Sequence, residues 1–324
     1  DVEGLRAVAI LLVAVYHVWI GRVSGGVDIF LMISGFFVGA SLVRSFAQGR
    51  PLSLWSYWCR IFGRLLPPAA VVLATGATVP RELPIPGNDL EGVHYAMEFL
   101  PQANAVVAGE TVEDQILATG KHVVVIGGGD TGSDCIGTSL RQGAASVTTL
   151  AIGKKPPTSR PENQPWPTDP LLFEVSSSHA EGGERDYLAS TVELIGDEHG
   201  HVTGLKVATT EYLPDGRRVP QAGTERVIPA DLVLVAMGFT GPETSLLVQQ
   251  TGAGLTPRGL VARNDDFSSA LPGVFVTGDA GRGQSLIVWA IAEGRATAAT
   301  VDAYLQGTTE LPAPVRATTV ALRP

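Results

Sequence analysis

The chain has 324 residues, of which 45% are hydrophobic and 17% charged, with a formal net charge of −9. That apolar content excludes a disordered chain, two cysteines exclude a disulfide scaffold, and the acidic balance argues against a nucleic-acid binder. The averages conceal two regimes. Residues 1–70 hold six Arg, no Lys, three acids (Asp1, Glu3 and Asp28) and ten of the 21 aromatic residues, whereas the remainder holds 17 basic and 29 acidic residues. The length admits two domains, and the start at Asp1 is that expected of a fragment.

Residues 7–20 (AVAILLVAVYHVWI) and 25–43 (GGVDIFLMISGFFVGASLV) are apolar runs containing His17 and Asp28. A membrane span needs about 20 mostly apolar residues, so a membrane hairpin is favoured over a buried core helix. A signal peptide fits poorly, because no cleavage site follows and a second apolar run does. Arg44, Arg50, Arg60 and Arg64, interleaved with Trp55, Tyr57 and Trp58, place the next segment at the cytoplasmic headgroup boundary. Arg6 reads equally as an interfacial anchor or a functional group, and His17 as a helix-packing or a functional histidine. The strings DVEGLRA at 1–7, GVDIF at 26–30, ISGF at 33–36 and RIFGRLLP at 60–67 resemble the opening of the acyltransferase-3 family. Those are polytopic membrane enzymes that acylate sugars and cell-envelope glycans. The resemblance implies that His17 is the family's essential His and Arg6 its motif Arg. It ends near residue 70, and after residue 76 no apolar run is long enough to span a bilayer, so the acyl-transfer machinery is expected to be incomplete.

Pro67-Pro68 punctuates the helical pattern, and a different kind of sequence opens by Gly76 without a flexible linker. A natural fusion usually has a linker, so the abrupt join points to an assembly artefact or a recent recombination, and a truncated or chimeric chain is the expectation. Residues 122–126 (HVVVI) form a short β-branched run, read as a buried parallel strand. Gly127-Gly128-Gly129-Asp130-Thr131-Gly132 follows, then a helical stretch over 133–142 and a second strand over 146–150. This strand, glycine turn and helix are the context in which G-x-G-x-x-G binds a dinucleotide. Gly127 permits the tight turn, Gly129 lets backbone approach a pyrophosphate, and Gly132 lets the helix pack on the strand. No acid lies between Cys135 and Pro161 to meet a ribose 2′-hydroxyl, while Lys154, Lys155 and Arg160 follow, which favours NADP(H) over NAD(H). Solvated loop charges are the plainer account of those three. Cys135 reads as structural, and Cys59 and Cys135 are too few for an iron–sulfur centre.

Residues 231–237 are a further buried strand running into Gly238-Phe239-Thr240-Gly241. Residues 273–277 form another, ending in Gly278-Asp279, and 284–304 read as a long helix. A carboxylate there suits a flavin ribitol hydroxyl, although Gly-Asp is also an ordinary turn. Ala74-Thr75-Gly76-Ala77, the 127–135 turn, Pro165-Trp166-Pro167, Glu181-Gly182-Gly183, Ala236-Met237-Gly238-Phe239 and Gly278-Asp279 with Arg282-Gly283-Gln284-Ser285 resemble, in order and spacing, the small (beta) subunit of NADPH-dependent glutamate synthase. The resemblance implies an oxidoreductase moving a hydride from NADPH to FAD, with the glutamate synthase large subunit as partner and the cytoplasm as location. It implies that Gly127, Gly129 and Gly132 hold NADPH and that Asp279 binds the ribitol. Gln284 and Ser285 would lie near the isoalloxazine, and Ala74, Thr75 and Gly76 would form the crossover returning to the FAD domain.

The expected fold is α/β: a Rossmann-like NADPH-binding domain plus an incomplete FAD-binding domain, preceded by an α-helical membrane hairpin. Its parts are 1–70 (hairpin), 71–119 (partial FAD domain and crossover), 120–238 (NADPH-binding domain), 239–307 (carboxyl-terminal part of the FAD domain) and 308–324 (loose tail). The family's Cys-rich domain and first G-x-G-x-x-G are missing, so an exposed sheet edge and apolar face are expected around residues 74–98.

Overall fold

The structure, a computed structural model, describes residues 70–320. The hairpin, the acyltransferase-like strings, His17 and Arg6 lie outside the described residues. Among the described residues, no helix is long and apolar enough to cross a membrane.

In chain order the elements are β1 (Val71–Leu73), β2 (Val79–Pro80), β3 (Val93–Tyr95), α1 (Ala96–Val107), β4 (His122–Ile126), α2 (Asp130–Arg141), β5 (Ser146–Ala151), α3 (Ser177–Ala180), β6 (Glu184–Tyr187), β7 (Ala189–Gly196), β8 (Val202–Tyr212), β9 (Arg218–Pro220), β10 (Arg226–Pro229), β11 (Leu232–Val235), β12 (Phe239–Gly241), α4 (Ser245–Thr251), β13 (Val274–Val276), α5 (Asp279–Arg282) and α6 (Ile287–Gln306). A five-stranded sheet runs β3-β11-β4-β5-β6, with every pairing parallel. β4 takes a near-central place because Val123, Val124, Val125 and Ile126 are all buried, which suits a strand covered on both faces. Alternation then sorts its side chains. Val123 and Val125, with Leu232 and Leu234 of β11, meet Ala96 and Phe99 of α1 and Cys135 and Ile136 of α2. Val124, Ile126, Val233 and Val235 face the other way, onto Leu194, Leu205 and Val207 of an antiparallel arm built from β7, β8 and β10, with β9 added to β8. Fully burying each such aliphatic side chain is worth roughly 1.5–3 kcal/mol, so this two-faced core dominates the stability of the region.

The remaining strands make two small pairs. β1 lies parallel to β13, and β2 lies antiparallel to β12. The first pair carries its own minor core of Leu73, Ala253, Val261, Val276 and Ala280.

Strand β3, inside the expected part 71–119, pairs with β11 and so belongs to the five-stranded sheet. Over residues 74–98 Leu83 and Ala96 are buried while Val79 and Met97 are 37% and 52% exposed, and exposed apolar side chains extend beyond that range to Val71 and Val72 of β1 at 49% and 46% and Ile287 of α6 at 76%. Part of the expected loose tail is tied down. Thr318 donates its hydroxyl to Asp265 at 2.5 Å, Arg316 pairs with Asp265 at 3.2 Å, and the Thr319 carbonyl accepts from Arg282 at 2.9 Å.

Candidate functional site

The turn after β4 is built by steric exclusion. Gly127 has φ of 127°, and a Cβ there would collide with the Ala236 carbonyl of the neighbouring strand's end. A Cβ at Gly132 would collide with the Gly127 carbonyl, so the first turn of α2 sits directly against the loop. At Gly129, by contrast, a Cβ would meet nothing within 4 Å. Gly129 is the N-cap of α2, whose first backbone N–H groups have no intrahelical acceptor. Above them opens a cleft of about 490 Å³, bounded by Gly127, Gly128, Gly129, Asp130 and Thr131, by Ala151, Ile152 and Gly153 at the end of β5, and by Ala236, Met237, Gly238 and Gln284. Bare backbone at a helix N-terminus beside an open cleft fits a pyrophosphate.

Lys154 and Lys155 follow β5 on the surface. Lys154 Nζ lies 5.3 Å from the Tyr212 ring centroid, and Lys155 Nζ 4.5 Å from that of Phe173. Arg160 is used differently from its sequence expectation: its Nη1 donates to the carbonyls of Gln164 and Thr168 at 2.9 and 2.7 Å, closing its own loop. Cys135 is buried in the α2–sheet core, and burial, with the nearby Asp134 charge, pushes its thiol up to about 12. A thiol held neutral is a packing group.

The second motif lies across the cleft. Gln284 Oε1 accepts the Phe239 N–H at 2.9 Å and packs against Gly238, whose φ of 83° leaves no room for a side chain. This one side chain joins β12 to the segment after α5. Asp279 Oδ1 accepts the Ser285 hydroxyl at 2.6 Å, which orients the carboxylate. Ala74, Thr75 and Gly76 link β1 to β2, so the chain leaves the β1–β13 pair there and returns through β12, the reverse of the expected direction. Among the described residues, one glycine-rich turn follows a strand and opens a long helix, the Gly127–Gly132 turn before α2.

Sequence reasoning missed what holds the Gly278-Asp279 turn. Glu293 of α6 is 0% exposed. It accepts from Arg263 Nη1 and Nη2 at 2.7 and 2.9 Å, from Arg282 Nε at 2.5 Å and from the Gly278 N–H at 2.9 Å. A lone acid inside the small-residue run AIAEGRATAA is the signal that could have found it.

Comparison with known proteins agrees with this geometry. Residues 63–168 and 187–294 match the family described as pyridine nucleotide-disulphide oxidoreductase. The chain is 55% identical over 259 residues to the glutamate synthase [NADPH] small chain of Mycobacterium tuberculosis, covering 78% of this chain and 53% of that one. It is 42% identical over 260 residues to the glutamate synthase [NADH] of Schizosaccharomyces pombe, covering 75% of this chain and 12% of that one. The chain thus spans about half the length of the small chain it matches. Among solved structures it shares a fold with Mycobacterium tuberculosis FprA in complex with NADPH, at a TM-score of 0.53 and 21% identity over 76% of this chain and 66% of that one. Nothing in these matches supports the acyltransferase resemblance of residues 1–70. With its matched segments covering more than half of the residues, the chain belongs to the pyridine nucleotide-disulphide oxidoreductases.

Proposed function

We propose that the chain supplies the NADPH site and the ribitol side of the flavin site of an NADPH:FAD oxidoreductase of the glutamate synthase small-chain type. One observation carries this reading: a single cleft runs from the Gly129 N-cap to Gln284, five residues beyond Asp279. Gly128, Gly129, Asp130 and Thr131 would hold the pyrophosphate on backbone N–H groups, and Lys154 and Lys155 would meet the 2′-phosphate. Gly238 and Gln284 would border the nicotinamide end, and Asp279, oriented by Ser285, would bind a ribitol hydroxyl. When bound, NADPH supplies a hydride and FAD accepts it. The protein's own residues therefore need no acid or base; they orient the two rings and keep water out. The glutamate synthase large subunit is the partner and the cytoplasm the location that this reading carries. A complete FAD site needs more than residues 70–320, since the ADP half of that cofactor finds no second turn among them.

The test is a titration of the purified chain with NADPH, followed by calorimetry and tryptophan fluorescence, then anaerobic reduction of added FAD. Saturable NADPH binding that Gly129→Ala weakens is the expected result. A folded chain that binds no NADPH refutes the proposal. No observation among the described residues favours the acyltransferase reading of His17 and Arg6, for which loss of acyl transfer on His17→Ala in membranes is the test.

A further inference from the structure

Four cations stand on two aromatic rings, and two of them, Lys154 and Lys155, directly follow the residues of the cleft wall after β5. Lys154 and Arg218 both approach the Tyr212 ring, at 5.3 and 5.7 Å from its centroid. Lys155 and Arg185 approach the Phe173 ring, at 4.5 and 5.0 Å. Tyr212 ends β8 and stands directly across from Arg218 at the start of β9, so both come from the antiparallel arm and not from the strand–turn–helix unit. Tyr212 also touches the cleft wall: its hydroxyl lies 3.9 Å from where a Gly153 Cβ would stand, and Gly153 lines the cleft.

None of the ion pairs of the described residues includes Lys154, Lys155, Arg185 or Arg218. Their neighbours Arg217 and Arg226 are paired, with Asp215 and Asp186. Residues 71–324 hold 29 acids against 17 bases, so an uncompensated cation stands out in this part of the chain. Aromatic faces partly offset the mutual repulsion of cations. An anion among them offsets it far more. Arg185 also donates to the Glu174 carbonyl at 2.9 Å, which leaves Arg218 the freer guanidinium.

We infer that Arg218 is a specificity-determining residue for an adenosine 2′-phosphate, and that Tyr212 positions it together with Lys154 at the cleft rim. A planar guanidinium suits a phosphate dianion and gains little from a neutral ribose hydroxyl. The inference rests on the dinucleotide reading above and extends its phosphate selection to a separate element of the fold.

The test uses the full chain and two probes that differ by one phosphate, adenosine 2′,5′-bisphosphate and adenosine 5′-monophosphate, titrated calorimetrically. The wild-type chain should bind the bisphosphate more tightly. Arg218→Ala should weaken bisphosphate binding by about tenfold, the loss of one exposed charge-assisted contact, and leave monophosphate binding unchanged. Arg218→Lys should recover part of the loss, and Tyr212→Leu should lose less than Arg218→Ala. Arg217→Ala, whose guanidinium is engaged by Asp215, should change neither. Equal weakening of both probes by Arg218→Ala would overturn the inference, because the arm would then be acting on the whole site. Equal affinity of the wild-type chain for both probes would overturn it while leaving the dinucleotide reading intact. Binding of neither probe would overturn both.

Discussion

Glu293→Ala should strongly destabilise the part of the chain that holds the Gly278-Asp279 turn. The substitution removes the acceptor of four hydrogen bonds, three from Arg263 and Arg282 and one from the Gly278 N–H. Arg263, only 6% exposed, would be left as a buried cation without a carboxylate. Removing one partner of such a pair costs about 3–5 kcal/mol. The minor core around Leu73 and Val276 has five buried apolar residues and little with which to compensate. At about 2–4 °C per kcal/mol for a unit of this size, thermal unfolding followed by circular dichroism should shift down by roughly 10 °C. Glu293→Gln, which keeps the shape and loses the charge, should fall between. The double variant Glu293→Leu with Arg263→Met should recover part of the loss, because it removes the two most buried charges together and leaves Arg282, 17% exposed, with the Thr319 carbonyl as its acceptor. A shift below about 2 °C for Glu293→Ala, or a double variant as unstable as the sum of the singles, would refute the network as the support of the turn.

Three further outcomes follow from the geometry. Gly127→Ala and Gly132→Ala should each lower stability by about 1–3 kcal/mol in denaturant titrations, because each Cβ meets backbone. Gly129→Ala should leave the midpoint unchanged and weaken NADPH binding. The Thr318 hydroxyl foremost, then the Thr318 N–H and Arg316, hold the Asp265 carboxyl below its ordinary value of 3.8. A depressed carboxyl contributes stability above that value and loses it as the pH falls further, so residues 316–319 should gain hydrogen exchange below about pH 4 and be protected at pH 6. Protection that is the same at both pH values, or that survives Asp265→Asn at pH 6, would count against the anchor. In a Cys59→Ser variant, the Cys135 thiol should resist a disulfide reagent at pH 8 until the chain is unfolded, as its value of about 12 requires.

The strand, glycine turn and helix at 122–142 were legible because their determinants are local. Four successive buried aliphatics exclude an edge strand, and the spacing of Gly127, Gly129 and Gly132 is set by atoms a few residues away. Observed bounds of His122–Ile126, Asp130–Arg141 and Ser146–Ala151 lie close to those read from sequence. Strand β3 was not legible. Val93-His94-Tyr95 has no period of its own and becomes a strand only by pairing with β11, some 140 residues later. The partners of Arg160 Nη1, the Gln164 and Thr168 carbonyls of its own loop, were not legible either.

The sequence alone therefore determined the α/β class, the strand, glycine turn and helix at 122–142 and the strand before Gly278-Asp279, because short-range sterics and hydrophobic period decide those. Only the tertiary structure decided that Gln284 bridges the two motifs, that Glu293 gathers Arg263, Arg282 and the Gly278 N–H, and that Lys154 and Arg218 share the Tyr212 ring. Each of those contacts joins residues from different elements, and the energy of a buried charge or of an unpaired cation is set by neighbours in space rather than by neighbours in the chain.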